Sequence, residues 1–386
     1  MRQTEGMHSD STQPPKPLAK LDSLPVYKPG KSAEATMAQY GLSFAAKLSS
    51  NENPYGPLPA VVDAIREAAL NINRYPDSNS TELKAALCQH VGVAGPRLTV
   101  ASGSSGVLLQ TLNAFAGPGD EVIFGWRSFE AYPIFTRVYG ATDVMVPLRG
   151  FDLDLDAIAA AVTDRTKVIL IANPNNPTGT ALKREAVDRF LDAVPTRVLI
   201  VLDEAYREFI HEGATPDGIE SYLDRPNVLV SRTLSKAYGL AGMRTGYAVS
   251  TPEIISALDK VAPPFSLTNV TQAAAIAAIG CEKELKERVA IIVRERDRIL
   301  ADIRAMGLAV PESQANLVWL PAGASTTALF EALESKGVVA RAFVNEGVRV
   351  SIGSPEENDL MLSALKNTTE KLDLVSTWTV HEGVSQ

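Results

Sequence analysis

The chain has 386 residues, 37 Lys and Arg against 45 Asp and Glu, a formal net charge of -8 and only two cysteines. That length exceeds what one core usually fills, so a large domain with a smaller companion is expected. The acidic balance and the absence of any basic run argue against nucleic acid as a partner, while Cys88 and Cys281, far apart, and four histidines (His8, His90, His211, His381) without ligand spacing argue against a disulfide framework or a metal site.

A reducing cytoplasm fits this cysteine usage best. No apolar run reaches bilayer length, and the N-terminus lacks a hydrophobic core followed by a cleavage site, so no membrane association or secretion is expected. Residues 1–17 are polar and proline-bearing without periodicity and read as the disordered part of an arm that spans 1–45. Helical spacing follows over 61–71, and Thr81-Glu82-Leu83-Lys84 reads as a capped helix start. Short apolar runs at 98–101, 121–124, 143–146, 168–172, 198–202, 228–231 and 247–250 then alternate with amphipathic segments at 107–116, 155–162 and 184–193. This alternation predicts an α/β large domain, 46–275, on a mostly parallel seven-stranded sheet covered on both faces. Beyond Asn269 come an alanine-rich helix at 272–279 and a long charged helix at 282–306. Strands at 317–320, 338–340 and 347–352 between helices at 326–336 and 356–372 predict a smaller α+β domain, 276–386.

In open α/β sheets ligands sit beyond the carboxyl ends of the strands, so the residues that follow each strand are the candidates for chemistry. Ser102-Gly103-Ser104-Ser105-Gly106 offers free amides and hydroxyls at a helix start, suited to a phosphate, although a plain strand-to-helix turn has the same composition. Asn173-Pro174-Asn175-Asn176-Pro177-Thr178-Gly179 places an asparagine amide between two prolines that fix its direction; a rigid turn alone is the other reading. Asp203 closes a buried strand and needs a cationic partner, such as a protonated pyridine nitrogen, unless it is an ordinary loop acid. Lys236 stands among Thr233, Ser235 and Gly239 with Arg244 eight positions on. An amine so placed can form a Schiff base with an aldehyde while its neighbours hold a phosphate; a solvated surface lysine is the alternative.

Asn173 to Gly179, Asp203-Glu204-Ala205-Tyr206 and Ser235 to Arg244, in this order, resemble the fold-type I pyridoxal-phosphate aminotransferases, and within them the histidinol-phosphate aminotransferase group and its aromatic amino acid relatives. The resemblance runs from about Leu24 onward and includes 70–77 and 347–351. It implies pyridoxal 5'-phosphate as cofactor and Lys236 as the catalytic amine that carries the Schiff base and shuttles the substrate proton. It implies further that Asp203 holds the pyridinium proton and that Asn176 and Tyr206 bond the phenolic oxygen. Gly103, Ser104, Ser105, Thr233, Ser235 and Arg244 would surround the phosphate, with Tyr75 reaching in from the second subunit of a homodimer. Phe129, where relatives carry a Pro-Thr-Tyr-like segment, would stack on the ring. Arg349 would take the substrate α-carboxylate, and with Arg341 a phosphate in the histidinol-phosphate case; a solvated charge is the other reading of Arg341. Tyr27 would close over the substrate or pack against the small domain.

The expected reaction moves an amino group between an aromatic amino acid and 2-oxoglutarate by a ping-pong mechanism, because residues 124–133 most resemble the aromatic branch. Histidinol phosphate is the alternative substrate, and a decarboxylase on the same fold is a further one. With only a short polar arm ahead of the first α/β elements, a non-catalytic cofactor-binding regulator fused to a DNA-binding module is not expected.

Overall fold

The computed structural model describes residues 16–22, 24 and 30–372. Helix α1 (Ala33–Tyr40) starts at Ser32, whose hydroxyl accepts the Ala35 amide at 3.1 Å, and stops at Gly41 in the left-handed region. Strand β1 (Ala46–Lys47) precedes α2 (Pro59–Ala69), whose leading proline loses nothing in the first turn, and α3 (Thr81–Val91). The N-cap residue of α3, Ser80, makes no side-chain cap bond; Asp77 accepts the Thr81 amide instead, at 2.7 Å. Alternation then begins with β2 (Leu98–Ser102), α4 (Gly103–Phe115), β3 (Glu121–Trp126), α5 (Ala131–Val138), β4 (Thr142–Pro147), α6 (Leu155–Ala160), β5 (Thr166–Ala172), α7 (Arg184–Ala193), β6 (Leu199–Asp203), α8 (Gly218–Tyr222), β7 (Val228–Thr233) and β8 (Thr245–Val249). The remainder is α9 (Pro252–Val261), α10 (Asn269–Gly280), α11 (Glu282–Ala305), β9 (Leu317–Leu320), α12 (Thr326–Glu334), β10 (Val338–Val339), β11 (Arg341–Phe343), β12 (Gly347–Ser351) and α13 (Pro355–Leu372).

Strands β2 to β8 form one seven-stranded sheet in the order β2-β8-β7-β6-β5-β3-β4. β4, β3, β5, β6 and β7 are parallel, and β8 runs against both of its neighbours, so β2 shares the direction of the rest. The runs read as continuous apolar stretches because both faces are covered. Ile169, Ile171, Ile200 and Leu202 point into one core, whereas Val168, Leu170, Leu199 and Val201 point into the other. A third core gathers Ile292, Ile299 and Ile303 of α11 with the three-stranded sheet β11-β12-β9 and with Met361 and Leu365 of α13. Ala46 and Leu48 join this third core, because β1 pairs in parallel with β10. No helix among the described residues is long and apolar enough to cross a membrane.

Ser102, Ala172, Asp203 and Thr233 end strands that run the same way, and β8 begins at that edge with Thr245 opposite Ser102. Their side chains therefore converge at one end of the sheet, against β11 and β12.

Candidate active site

A cleft enclosing about 860 Å³, open mouth included, lies at this edge, within the range of small-molecule sites. One end is built for an anion. Gly103 opens α4 at φ +75°, and a Cβ there would lie 2.3 Å from Arg244 Nη2. Gly246 is also required: its Cβ would fall 2.4 Å from the Ser104 nitrogen. Ser102 gives α4 no side-chain cap, which leaves the first amides of the helix to be satisfied otherwise, and Ser104 and Ser105 of that first turn line the cleft. From β7 and the loop after it, Thr233 donates to Ser235 Oγ at 3.0 Å and accepts the Ser235 amide at 3.2 Å. Arg244 Nη1 donates to the same Ser235 hydroxyl at 3.1 Å and to the Ala241 carbonyl at 3.1 Å. Amides, hydroxyls and a guanidinium facing one space are what a phosphate monoester needs.

At the end of β6, Asp203 is buried, and Tyr132 of α5, also buried, donates to its Oδ2 at 2.9 Å. Its Oδ1 has no hydrogen-bond partner among the described residues. Burial raises the carboxyl to about 6, against the pull of Tyr132 and the Ala205 amide. An acid so placed lacks a cationic donor. Lys236 lines the same cleft and donates to the Ser50 carbonyl at 3.1 Å. Burial, with the Arg349 charge nearby, lowers its amine to about 8. At neutral pH a useful fraction of it is therefore an uncharged nucleophile.

The third side of the cleft reads polar groups. In the 173–179 loop, Asn173 bonds Thr215 and the Leu182 amide, and Asn175 bonds Ser128, Thr178 and the Arg127 carbonyl, so both hold the loop together. Asn176 alone of the three lines the cleft, where its Oδ1 accepts Arg349 Nη1 at 2.8 Å. Arg349 of β12 also donates to the Ser49 carbonyl. Tyr206 receives the Asn51 amide at 2.9 Å. Phe129 lines the cleft and packs edge-on against Tyr132, ring centroids 5.6 Å apart. Arg341 of β11 stands directly opposite Arg349 in the strand register and is held by both oxygens of Glu130, at 3.2 and 3.0 Å.

Of the residues expected from sequence, Ser104, Ser105, Phe129, Asn176, Asp203, Tyr206, Thr233, Ser235, Lys236, Arg244, Arg341 and Arg349 all line this one cleft, and Gly103 abuts it through Arg244. Tyr75 does not: it is 82% exposed and stacks on Phe265 with centroids 4.6 Å apart. Tyr27 lies outside the described residues. Tyr132, Glu130 and the Ser49-Ser50-Asn51 wall join the site without having been among the residues expected from the sequence. The last had a readable signal, since Asn51-Glu52-Asn53-Pro54 repeats the asparagine-proline character of 173–177.

The residues fit a pyridoxal phosphate: an unsatisfied buried carboxylate oxygen for a ring N–H, an activated amine for the aldehyde, and an anion cradle for the phosphate. The family model for aminotransferase class I and II matches residues 45–365. An aromatic amino acid aminotransferase of Streptomyces coelicolor is 51% identical over 93% of this chain and 99% of its own length. One from Thermobifida fusca is 49% identical over 92% of this chain and 97% of its own. Among solved structures, a histidinol-phosphate aminotransferase from Sinorhizobium meliloti in complex with pyridoxal-5'-phosphate is 34% identical, with a TM-score of 0.85 over 94% of this chain and all of its own.

Proposed function

Because the chain belongs to the class I and II aminotransferase family, a pyridoxal phosphate-dependent transaminase that passes amino groups between amino acids and 2-oxo acids, we propose that its variable substrate is an aromatic amino acid. Glutamate and 2-oxoglutarate form the second pair of a ping-pong cycle. The observation that carries the substrate choice is Glu130 clamped on Arg341. A phosphate monoester brings almost two negative charges and needs both cleft arginines. Reaching Arg341 means displacing Glu130, so the cleft with that pair closed suits an α-carboxylate on Arg349 and an uncharged ring beside Phe129. The relatives named aromatic amino acid aminotransferase support the same choice.

When bound, the cofactor supplies a protonated pyridine ring that draws electrons away from the substrate Cα. Asp203 holds the proton at the ring nitrogen, and its buried setting makes that contact strong. Lys236 Nζ, lowered to about 8, takes the proton from the substrate Cα. Asn176 and Tyr206 would bond the cofactor's phenolic oxygen and Phe129 would face its ring, while Gly103, Ser104, Ser105, Thr233, Ser235 and Arg244 would hold its phosphate. Arg349 binds the substrate α-carboxylate bidentately and so aims the Cα–H bond at Lys236.

The same proposal includes a homodimer in which the exposed Tyr75 of each copy completes the partner's phosphate site, and Tyr27 closing over the substrate. The exposure of Leu70, Ile72 and Tyr75 on one stretch supports the dimer. We divide the chain into an arm (1–45), a large domain (46–275) and a small domain (276–386). The confinement of the large sheet to 98–249 and of the three-stranded sheet to 317–351 supports this, with residues 46–48 crossing into the third core. A cytoplasmic location accords with two unpaired cysteines.

Turnover of phenylpyruvate and of imidazole-acetol phosphate, each with glutamate as donor, tests the substrate. Higher kcat/KM with phenylpyruvate is expected, and the reverse order would replace the aromatic reading with histidinol phosphate.

A further inference from the structure

We propose that Glu130 is a built-in counter-anion that sets the balance between aromatic and acidic substrates, occupying Arg341 when the bound side chain is neutral and yielding it to a substrate's distal carboxylate. The inference rests on the reading that one cleft serves both an aromatic amino acid and glutamate. Such a cleft faces a charge problem. The two substrates share an α-carboxylate but differ by one full charge at the far end.

Arg341 and Arg349 are directly opposed across β11 and β12, and both line the cleft. Two like charges so placed repel unless an anion lies near. Arg349 is bonded to the neutral acceptors Asn176 Oδ1 and the Ser49 carbonyl, whereas Arg341 is clamped by the Glu130 carboxylate. Glu130 occupies the N-cap position of α5 yet makes no cap hydrogen bond with its side chain. Its side chain, 27% exposed, can be rehydrated when it lets go, and Arg341 keeps 20% exposure, so the exchange happens at the cleft rim and not in a sealed interior. With an aromatic substrate the Glu130–Arg341 pair stays closed and the ring meets no bare cation. With glutamate, the γ-carboxylate replaces Glu130 on the same guanidinium, which keeps an anionic partner while the Glu130 carboxylate turns to water.

Single-turnover rates of the cofactor-loaded enzyme with L-phenylalanine and with L-glutamate decide it. Glu130→Gln should raise the glutamate-to-phenylalanine ratio of kcat/KM roughly tenfold, Arg341→Gln should lower it by a similar factor, and Glu130→Asp should restore the wild-type ratio in part. A purely structural pair would depress both substrates together. An unchanged ratio in E130Q, or parallel loss of both activities, overturns the proposal. A wild-type protein inert to phenylalanine but active on glutamate sinks the aromatic reading instead; the role of Glu130 is then decided by the glutamate KM, which E130Q must lower.

Discussion

Replacing Asp203 with asparagine should separate the cost of a buried charge from its use. In the protein without cofactor, Asp203 is 5% exposed, one of its oxygens has no partner among the described residues, and its carboxyl titrates at about 6 instead of 3.8. A folded value above the unfolded one means that ionisation opposes folding. The penalty is absent below pH 4, grows between 4 and 6 and is complete above 6. At about 1.4 kcal/mol per pH unit it reaches about 3 kcal/mol. Asp203→Asn removes the charge, keeps an oxygen for Tyr132 and should stabilise the cofactor-free protein by up to about 3 kcal/mol at pH 8, with no gain at pH 4. With cofactor the order reverses. The anionic partner of the ring proton is lost, and single-turnover transamination should fall roughly 100- to 5,000-fold, the rate equivalent of breaking a buried charge pair. Urea unfolding of both forms at pH 4 and 8, with half-reaction rates, measures both sides. A variant that is less stable without cofactor at pH 8 yet transaminates at the wild-type rate would mean that Asp203 is neither a buried charge penalty nor the partner of the ring proton.

Other substitutions probe the phosphate end and the amine. Gly103→Ala meets a positive φ and a Cβ 2.3 Å from Arg244 Nη2, so Arg244 must move; cofactor affinity by fluorescence titration should weaken about tenfold, and an unchanged affinity would remove Arg244 from the cradle. The rate at which the cofactor-free protein captures pyridoxal phosphate should rise with pH through a midpoint near 8, where half of Lys236 has lost its proton, and level off only well above it. Arg349→Gln removes a neighbouring cation and should move that midpoint upward; a downward move would contradict the assigned cause.

The large sheet was legible because β5, β6 and β7 are buried on both faces and leave unbroken apolar runs bounded by polar residues. What escaped has local causes. β1 is two residues long, too short for any period to show. α5 hides behind Pro133, which reads as a breaker although in the first turn its missing N–H costs nothing. The 338–340 run divides at Ala340 into β10, which pairs with β1, and β11, which turns to pair with β12. Within the site, residues that follow strand ends were readable because the α/β layout brings those ends together. Tyr132 and Glu130 were not. Their partners, Asp203 and Arg341, lie 71 and 211 positions away, and only the packing of α5 beside the strand ends makes them neighbours.

The most direct measurement is borohydride reduction of the protein with pyridoxal phosphate, followed by peptide mass mapping. One reduced adduct is expected, on the peptide carrying Lys236, and none in Lys236→Ala, which should fold normally and show no transamination. An adduct on another lysine, or full activity in Lys236→Ala, would contradict Lys236 as the catalytic amine.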